Sequence, residues 1–309
     1  GGQRFLRHRA CLCCQCGSLD GTWLRAGSDG TQRCPGAASA TLTVVDADGN
    51  SNQATAVISV EAEVTVFTVS SNITADATWT TGNTYILAGR IAVASGATLT
   101  IESGVVVKGE AGTGANATAL LVARGATLNA NGTATAPIIF TSVADEITPA
   151  DIAAGNYSSP NLDPNISGLW GGVIVLGNAP ISARNDAAEV QIEGIPTTDT
   201  NGLYGGSDAA DNSGSISYIS IRHGGSNIGE GNEINGLTLG GVGTGTTITG
   251  VEVVSNADDG IEWFGGTVDV SNVLIWNSND DGLDTDQDWQ GTCSNYVIVT
   301  PQGGSAFEL

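Results

Sequence analysis

Apolar and polar positions repeat with a fixed period near the end of the sequence. Residues 250–263 (GVEVVSNADDGIEW) align with residues 272–285 (NVLIWNSNDDGLDT), 22 residues later, and residues 295–308 (NYVIVTPQGGSAFE) follow. Each copy holds a short apolar strand, a polar turn and a second short strand, which is typical of the coils of a parallel β-helix. A third period of 22 residues puts Gln302-Gly303-Gly304 where the first two copies carry an acid pair and its glycine.

The rest of the chain predicts an all-β fold, because short β-branched runs are broken by Gly, Asn and Asp. We interpret residues 64–309 as one β-helix, in which Gly96 and Gly125 hold equivalent corners. Residues 169–181 (LWGGVIVLGNAPI) predict a strand that is buried on both faces. Such coils tolerate insertions, which often form the binding face. Two polar insertions are present, at residues 144–168 and 182–215.

The part of the chain before residue 64 follows a different pattern. Residues 40–62 alternate apolar and polar positions around a DADGN turn, which is a hairpin signal. This hairpin resembles the last two strands of an immunoglobulin-like or PKD-like repeat, so we assign residues 37–63 to the tail of such a domain. Residues 1–36 hold half of the ten basic residues and five of the six cysteines. A metal or disulfide knot lacks a second cysteine cluster at the right spacing, so this composition favours a non-native, frameshift-like segment.

The net charge of the chain limits the classes of molecule that it is expected to bind. The formal net charge is −22 and Lys108 is the single lysine, which argues against nucleic acid or an anionic membrane surface as a partner. No apolar run is long enough to span a bilayer, and no signal peptide is visible. An acidic, lysine-poor composition fits a secreted protein that handles cations or lives in salt water. The last residues stop inside a predicted strand, so we interpret the sequence as a fragment truncated at its C terminus.

Several stretches together carry a family resemblance. They are LWGGVIVLGNAPI (169–181), VQIEGIP (190–196), LYGGSDAADNSG (203–214), ISIRHGGSNIGEGNEINGLTLGGVG (219–243) and VEVVSNADDGIEWFGGTVDVSNV (251–273). From about residue 78 onward the chain resembles secreted, right-handed, single-stranded parallel β-helix proteins (pectin-lyase-like) of marine and Bacteroidetes-type bacteria. The resemblance implies an extracellular or outer-surface location, with coils that follow immunoglobulin-like repeats. Most members of that family have no assigned activity, and the second acidic coil here, NDDGLDTDQDWQG (279–291), departs from their pattern.

The acidic turns predict a cation site. Ten acidic residues and no Lys or Arg lie between positions 252 and 288. Stacked coils place the acid pairs about 4.8 Å apart, where each like-charge pair costs on the order of 3 kcal/mol at an effective dielectric near 20. A Ca²⁺ ion, which tolerates irregular oxygen geometry, removes that cost. The alternative is a row of turn side chains that bind backbone amides. The candidate ligands are Asp258, Asp259, Asp280, Asp281 and Asp284.

A catalytic interpretation stays open beside this one. The NADDG and SNDDGLDTD stretches resemble the acid motifs of polygalacturonases, and RHGG (222–225) resembles their histidine motif. The resemblance implies acid and base roles for Asp259, Asp280, Asp281 and His223. However, His223 precedes both acid pairs, whereas that family places its histidine after them. A hydrolase also needs two carboxyls that face one glycosidic bond.

Aromatic residues supply the candidate ligand-binding positions. Trp263 and Trp289 flank the acid pairs, and we consider them as platforms on which a sugar ring could stack, with packing as the alternative. Trp276 lies inside the apolar run LIW and is predicted to belong to the core.

These patterns favour a non-catalytic, structural or adhesive or glycan-binding protein that is secreted or displayed on a bacterial cell surface and stabilised by Ca²⁺. Its expected partner is a polysaccharide or another cell-surface component, and this region is expected to be monomeric. The alternative function is a polysaccharide hydrolase or lyase that uses the acidic face at residues 258–288.

Overall fold

The structure is a computed structural model, and it describes residues 36–45, 51–60, 65–229, 232–300 and 303–309. The chain divides into two compact units at residue 63. In the first unit, β1 (Gly36–Val45) and β2 (Ser51–Val60) pair antiparallel. The hairpin expected over residues 40–62 is therefore present, while its turn and the predicted non-native segment, up to residue 35, lie outside the described residues. Its assignment to an immunoglobulin-like domain stays a prediction.

The second unit is built from short strands and contains one described α-helix, α1 (Pro149–Ala153). Three 3₁₀ turns span Gly114–Asn116, Arg184–Asp186 and Thr200–Gly202. In chain order the strands are β3 (Val66–Val69), β4 (Ala77–Trp79), β5 (Thr84–Leu87), β6 (Arg90–Val93), β7 (Thr98–Ile101), β8 (Val106–Gly109), β9 (Ala119–Val122), β10 (Thr127–Asn131), β11 (Ile138–Ser142), β12 (Val173–Leu176), β13 (Val190–Gln191), β14 (Leu203–Tyr204), β15 (Gly214–Arg222), β16 (Asn227–Gly229), β17 (Asn232–Glu233), β18 (Leu237–Gly240), β19 (Thr247–Val254), β20 (Ile261–Phe264), β21 (Val270–Trp276), β22 (Leu283–Asp286), β23 (Cys293–Val299) and β24 (Phe307–Glu308).

Two parallel sheets run the length of this unit. Sheet I has the order β23-β21-β19-β15-β11-β8-β5-β3, and a branch joins it in which β10 pairs with β15, β7 with β10 and β4 with β7. Sheet II has the order β24-β22-β20-β18-β12-β9-β6. From β15 onward, apart from the short antiparallel strands β16 and β17, the chain alternates between the sheets, so each coil adds one strand to each ladder. The earlier coils add a further strand to sheet I, namely β4, β7 or β10. The predicted all-β fold, a parallel β-helix, is confirmed.

The repeat period is confirmed for the two acidic coils and lengthens after them. Val251 pairs with Val273 and Ile261 with Leu283, so each partner lies one full period further along the chain. Val270 pairs with Cys293, one position beyond that period, and Leu283 pairs with Phe307, two positions beyond it. The prediction of a third period of equal length was therefore wrong, because the turns before β23 and before β24 are each longer by one position than those one coil earlier.

The main core fills the space between the sheets. It is lined by the alternate side chains that point inward from each strand, such as Leu99, Phe140, Val175 and Ile275. A second apolar cluster covers the outer face of sheet II and includes Leu176, Phe264 and Tyr204, the last contributed by the insertion at 182–215. A third and smaller cluster packs the insertion at 144–168 on β8 and β11. The two insertions therefore cover different faces of the β-helix.

Two local features match their expected positions. Gly96 and Gly125 occupy equivalent corners, since Gly96 N donates to Gly125 O at 2.8 Å. The predicted buried strand within 169–181 is β12, and its four residues are all buried. Among the described residues, no helix is long and apolar enough to cross a membrane.

The glycine of the first acidic turn is required by close packing, and its replacement is our first prediction. A Cβ at Gly260 would lie 2.5 Å from Gly282 O and 2.7 Å from a side-chain carbon of Ile275. We expect Gly260→Ala to lower the free energy of unfolding by about 1–3 kcal/mol, as overpacked cores do. Urea unfolding measures this change.

Gly229 supplies the matched control, because a Cβ there meets nothing within 4 Å. Gly229→Ala is expected to be neutral or to stabilise by a few tenths of a kcal/mol. Equal losses in the two variants would contradict the packing argument.

Candidate cation site in the acidic turns

The two acid pairs lie at the same position of neighbouring coils. Residues 255–260 connect β19 to β20, and residues 277–282 connect β21 to β22. Gly260 N donates to Asp281 O at 3.0 Å, which fixes the register of one turn on the next. The stacking that the period predicted is therefore found.

The second acid of each pair caps the coil that follows. Asp259 Oδ1 accepts a hydrogen bond from Asp281 N at 2.8 Å. One coil on, Asp281 accepts a hydrogen bond from Ser305 N in the same way. These bonds satisfy turn amides, which is the role that the alternative interpretation gave to turn aspartates. The repeated second acid is thus part of how the coils are joined.

One group of carboxylates has the spacing that a cation requires. Oxygen atoms of Asp258, Asp259 and Asp280 all lie within 4.8 Å of one another. Asp280 is exposed, Asp258 is half-buried and Asp259 is buried, so the group reaches from solvent into the protein. Oxygen ligands from carboxylates at irregular positions suit Ca²⁺ better than Mg²⁺, which demands near-octahedral geometry.

A second group lies deeper and shares one member with the first. Oxygens of Asp259, Glu262 and Asp284 also lie within 4.8 Å of one another. Glu262 and Asp284 pair directly across β20 and β22. Asn235, at the position of Asp259 one coil earlier, donates from Nδ2 to Glu262 Oε2. Asp281 belongs to neither group.

Burial and mutual repulsion raise the proton affinity of these acids. Burial, together with the neighbouring Asp258 carboxylate, raises the pKa of Asp259 to about 8. Burial, with Glu193 next in effect, raises the pKa of Glu262 to about 10. The pKa of Asp284 is also raised, chiefly by burial and then by Asp286. Without a cation, burial and the neighbouring acids disfavour the ionised form of each of these carboxyls.

The donor set fits a hard cation. Asp284 Oδ1 is buried and has no hydrogen-bond partner among the described residues. A cation bound by Asp259, Glu262 or Asp284 would compensate the mutual repulsion of these buried carboxylates. Cation and proton would compete for the same oxygens.

Glu262 is the residue that the sequence reasoning left out of the candidate ligands. Strand alternation could have found it, because Ile261 and Trp263 face the core. Glu262 must then point outward on the same side as Asp284, its partner on the next coil.

His223 is held in a corner of the β-helix and is not in either carboxylate group. It occupies the coil position of Ser255 and Asn277, and all three have a positive φ. His223 Nδ1 bonds to Ile166 O at 2.6 Å. Ser255 and Asn277 both donate to Pro164 O, so the column of corner residues anchors the insertion at 144–168.

The predicted sugar platforms do not have the exposure that the prediction requires. Trp263 is 0% exposed and belongs to the main core. Its ring stacks on the half-buried Trp289 at a centroid distance of 4.6 Å. The Trp263 prediction was wrong, because strand alternation turns this side chain inward although its neighbours in sequence are acidic. Trp289 covers Trp263 and donates from Nε1 to Val268 O.

The prediction that Trp276 belongs to the core was also wrong. It was expected in the core, yet it is 41% exposed on β21. Ile275 takes the inward position, so the adjacent Trp276 must face outward.

Comparison with known proteins agrees with this architecture. A family model described as a pectate-lyase-like β-helix domain matches residues 71–155 and 158–308. No curated protein and no solved structure matched the chain. Because the family match covers most of the chain and the coils it describes are present, this protein belongs to the pectate-lyase-like β-helix family.

Proposed function

We propose that this chain is a non-catalytic β-helix protein, secreted or displayed on a bacterial cell surface, whose acidic turns bind Ca²⁺. Its role is structural, adhesive or glycan-binding, and its partner is a polysaccharide or another cell-surface component. The region acts as a monomer. The observation that carries the cation proposal is the convergence of Asp258, Asp259 and Asp280 within 4.8 Å.

Burial argues against acid–base catalysis by Asp259, Glu262 and Asp281. A glycosidase needs two carboxyls that both reach the scissile bond. Asp259 and Glu262 are each only 7% exposed, and Asp281 is also buried. These side chains have little surface to offer a sugar, whereas a small ion needs only the oxygens.

A lyase is disfavoured for a separate reason. Such an enzyme needs a basic group next to the substrate. Arg222 is the basic residue nearest to the acidic turns in sequence, and its guanidinium already donates to Ser220, Tyr157 and Glu252. Arg222 therefore has a structural role and is not free to act as a base.

Thermal melting with and without Ca²⁺ tests the cation site and is our second prediction. An ion at about 100 times its Kd stabilises the native state by about 2.7 kcal/mol, so we expect Tm to rise by roughly 5–10 °C over the chelated protein. The double variant Asp258→Asn with Asp280→Asn should lose most of this rise. An unchanged Tm in the unaltered protein would refute Ca²⁺ binding.

Asp186→Asn is the matched control for charge. Asp186 is exposed and has a φ of 54°, which asparagine also adopts readily. This variant should keep the full response to Ca²⁺.

Release of sugar chain ends tests the alternative function. The protein is incubated with uronate and neutral polysaccharides, and new ends are assayed. The proposal expects no release. Release that disappears in Asp280→Asn and Asp281→Asn would establish a hydrolase or lyase on the acidic face at 258–288.

A further inference from the structure

A cavity lies between the insertion at 144–168 and the outer face of sheet I. Its volume is about 300 Å³, at the lower end of the range for small-molecule sites. The lining residues are Tyr157, Ser158, Ser159, Leu162, Pro164, Arg222, His223, Glu252 and Val254. It is separate from the acidic turns, and neither carboxylate group contributes to its lining.

The walls of this cavity are held to its floor by buried polar bonds. Arg222 Nε donates to Ser220 Oγ at 2.7 Å and Nη2 donates to Glu252 Oε2 at 3.2 Å. The same guanidinium donates through Nη1 to Tyr157 O on the insertion. The cavity is therefore preformed, which lowers the entropic cost of binding.

The polar groups of the floor offer hydrogen-bond acceptors. A carbonyl oxygen can only accept, so the contact with Ile166 O makes His223 Nδ1 the donor and leaves Nε2 as an acceptor in the neutral ring. Glu252 keeps its Oε1 beyond the bonds to Oε2, and its side chain is 34% exposed. Leu162, Pro164 and Val254 provide apolar surface beside them.

An exposed tryptophan adjoins this cavity. Val254 pairs directly with Trp276 across β19 and β21, one strand spacing apart. Glu252 pairs with Leu274 in the same way, so the outer face continues from the cavity onto an apolar shelf of Leu274 and Trp276. An indole that is 41% exposed beside a preformed cavity has an open face for a ligand.

Acceptors next to an exposed indole suit a hydroxyl-rich ring, whose O–H groups donate while its C–H face stacks on the aromatic ring. The net charge of −22 disfavours an anionic chain. We propose that the cavity and the Trp276 shelf bind a neutral polysaccharide, with one sugar unit in the cavity and its neighbour on Trp276. This inference rests on the glycan-binding role proposed above and assigns its site and its class of ligand.

Binding of soluble neutral polysaccharides by the full chain tests the site and is our third prediction. Galactomannan, xyloglucan and a soluble β-glucan serve as probes in titration calorimetry, with polygalacturonate as the anionic counterpart. We expect at least one neutral probe to bind and polygalacturonate not to bind. Trp276→Ala should weaken that binding about tenfold or more. Val254→Phe, which fills the cavity, should weaken it too.

Tyr218→Ala is the matched control. Tyr218 is 48% exposed on β15 and is not among the cavity residues, so its loss should leave affinity unchanged. Tm confirms that each variant is folded.

Three results would overturn the inference: no binding of any neutral probe, unchanged binding in both Trp276→Ala and Val254→Phe, or preferential binding of polygalacturonate. The proposed function is tested by separate measurements on the same samples, namely the Ca²⁺ response of Tm and the release of chain ends. Loss of the Ca²⁺ response or release of chain ends would refute that function, and neither changes the affinity comparison between variants.

Discussion

Trp263→Ala is expected to lower the free energy of unfolding by about 3–5 kcal/mol, the usual cost of removing a large buried aromatic side chain. Trp263 has no exposed surface and packs among the inward side chains of both sheets. Its ring also covers Trp289 at 4.6 Å, and such aromatic pairs contribute about 0.5–1.5 kcal/mol beyond the area they bury. The variant leaves a cavity that the rigid parallel ladders on either side cannot close. Urea unfolding monitored by circular dichroism gives the change.

Two further variants serve as controls for this prediction. Trp263→Phe retains an aromatic ring and should cost clearly less than Trp263→Ala. Trp276→Ala removes the same indole from an exposed position of β21 and should change stability by no more than about 0.5 kcal/mol. A large loss for Trp276→Ala with a small loss for Trp263→Ala would mean that the inward and outward faces are assigned the wrong way round.

The contrast between these tryptophans shows what the sequence could predict. The repeat period is set by apolar strand residues and by the turn glycines, and both are visible in the sequence. The face on which a side chain lies follows from alternation within a short strand, and a shift of one position reverses it. The acidic neighbours of Trp263 in the sequence suggest an exposed side chain, but strand alternation places Trp263 inward and Glu262 outward.

Other parts of the site depend on contacts between distant segments. The corner position of His223 is local, but its function as an anchor depends on Ile166, which lies 57 residues earlier. The cavity floor is made by β15 and β19 and its wall by the insertion at 144–168, and nothing in their separate patterns indicates that they meet. The change of period after β22 arises from single added turn residues, whose placement apolar repeats do not determine.

The glycine in the turn that lacks acids lies close to the preceding acid pair, a contact that only the structure reveals. Gly304 lies against the acid pair of the preceding coil, where a Cβ would be 2.5 Å from Asp281 Oδ1 and 2.6 Å from Asp280 Oδ1. A side chain at this position would displace both carboxylates, and an aspartate would add charge to them. Gly304 therefore leaves room for the two carboxylates of the preceding turn.

The pH dependence of stability should largely disappear when Ca²⁺ is added. In chelator, we expect the free energy of unfolding to fall as pH rises from about 4 to about 8. The pKa of Asp259 is raised to about 8 in the folded protein, chiefly by burial, against about 4 in an unfolded chain. Between these values the folded state binds the additional proton, so stability falls with pH. Glu262, whose pKa burial raises to about 10, extends the fall to higher pH. Asp259 alone accounts for an expected loss on the order of 3–5 kcal/mol between pH 5 and pH 8, and Glu262 adds to this loss over the same range.

Ca²⁺ should cancel most of this fall, because it binds the ionised carboxylates and compensates the charge that burial disfavours. The rise in Tm on adding Ca²⁺ is therefore expected to be small at pH 5 and largest near pH 8, where fewer protons compete. Asp259→Asn removes the negative charge but keeps the turn contact, since the amide oxygen can still accept the hydrogen bond from Asp281 N. In chelator this variant should be more stable than the unaltered protein at pH 8 and should lose much of the pH slope. Melting curves at pH 5, 6.5 and 8, each with Ca²⁺ and with chelator, measure all of these effects. A Ca²⁺ response that is equal at pH 5 and pH 8, or that survives in full in Asp259→Asn, would show that the ion binds elsewhere.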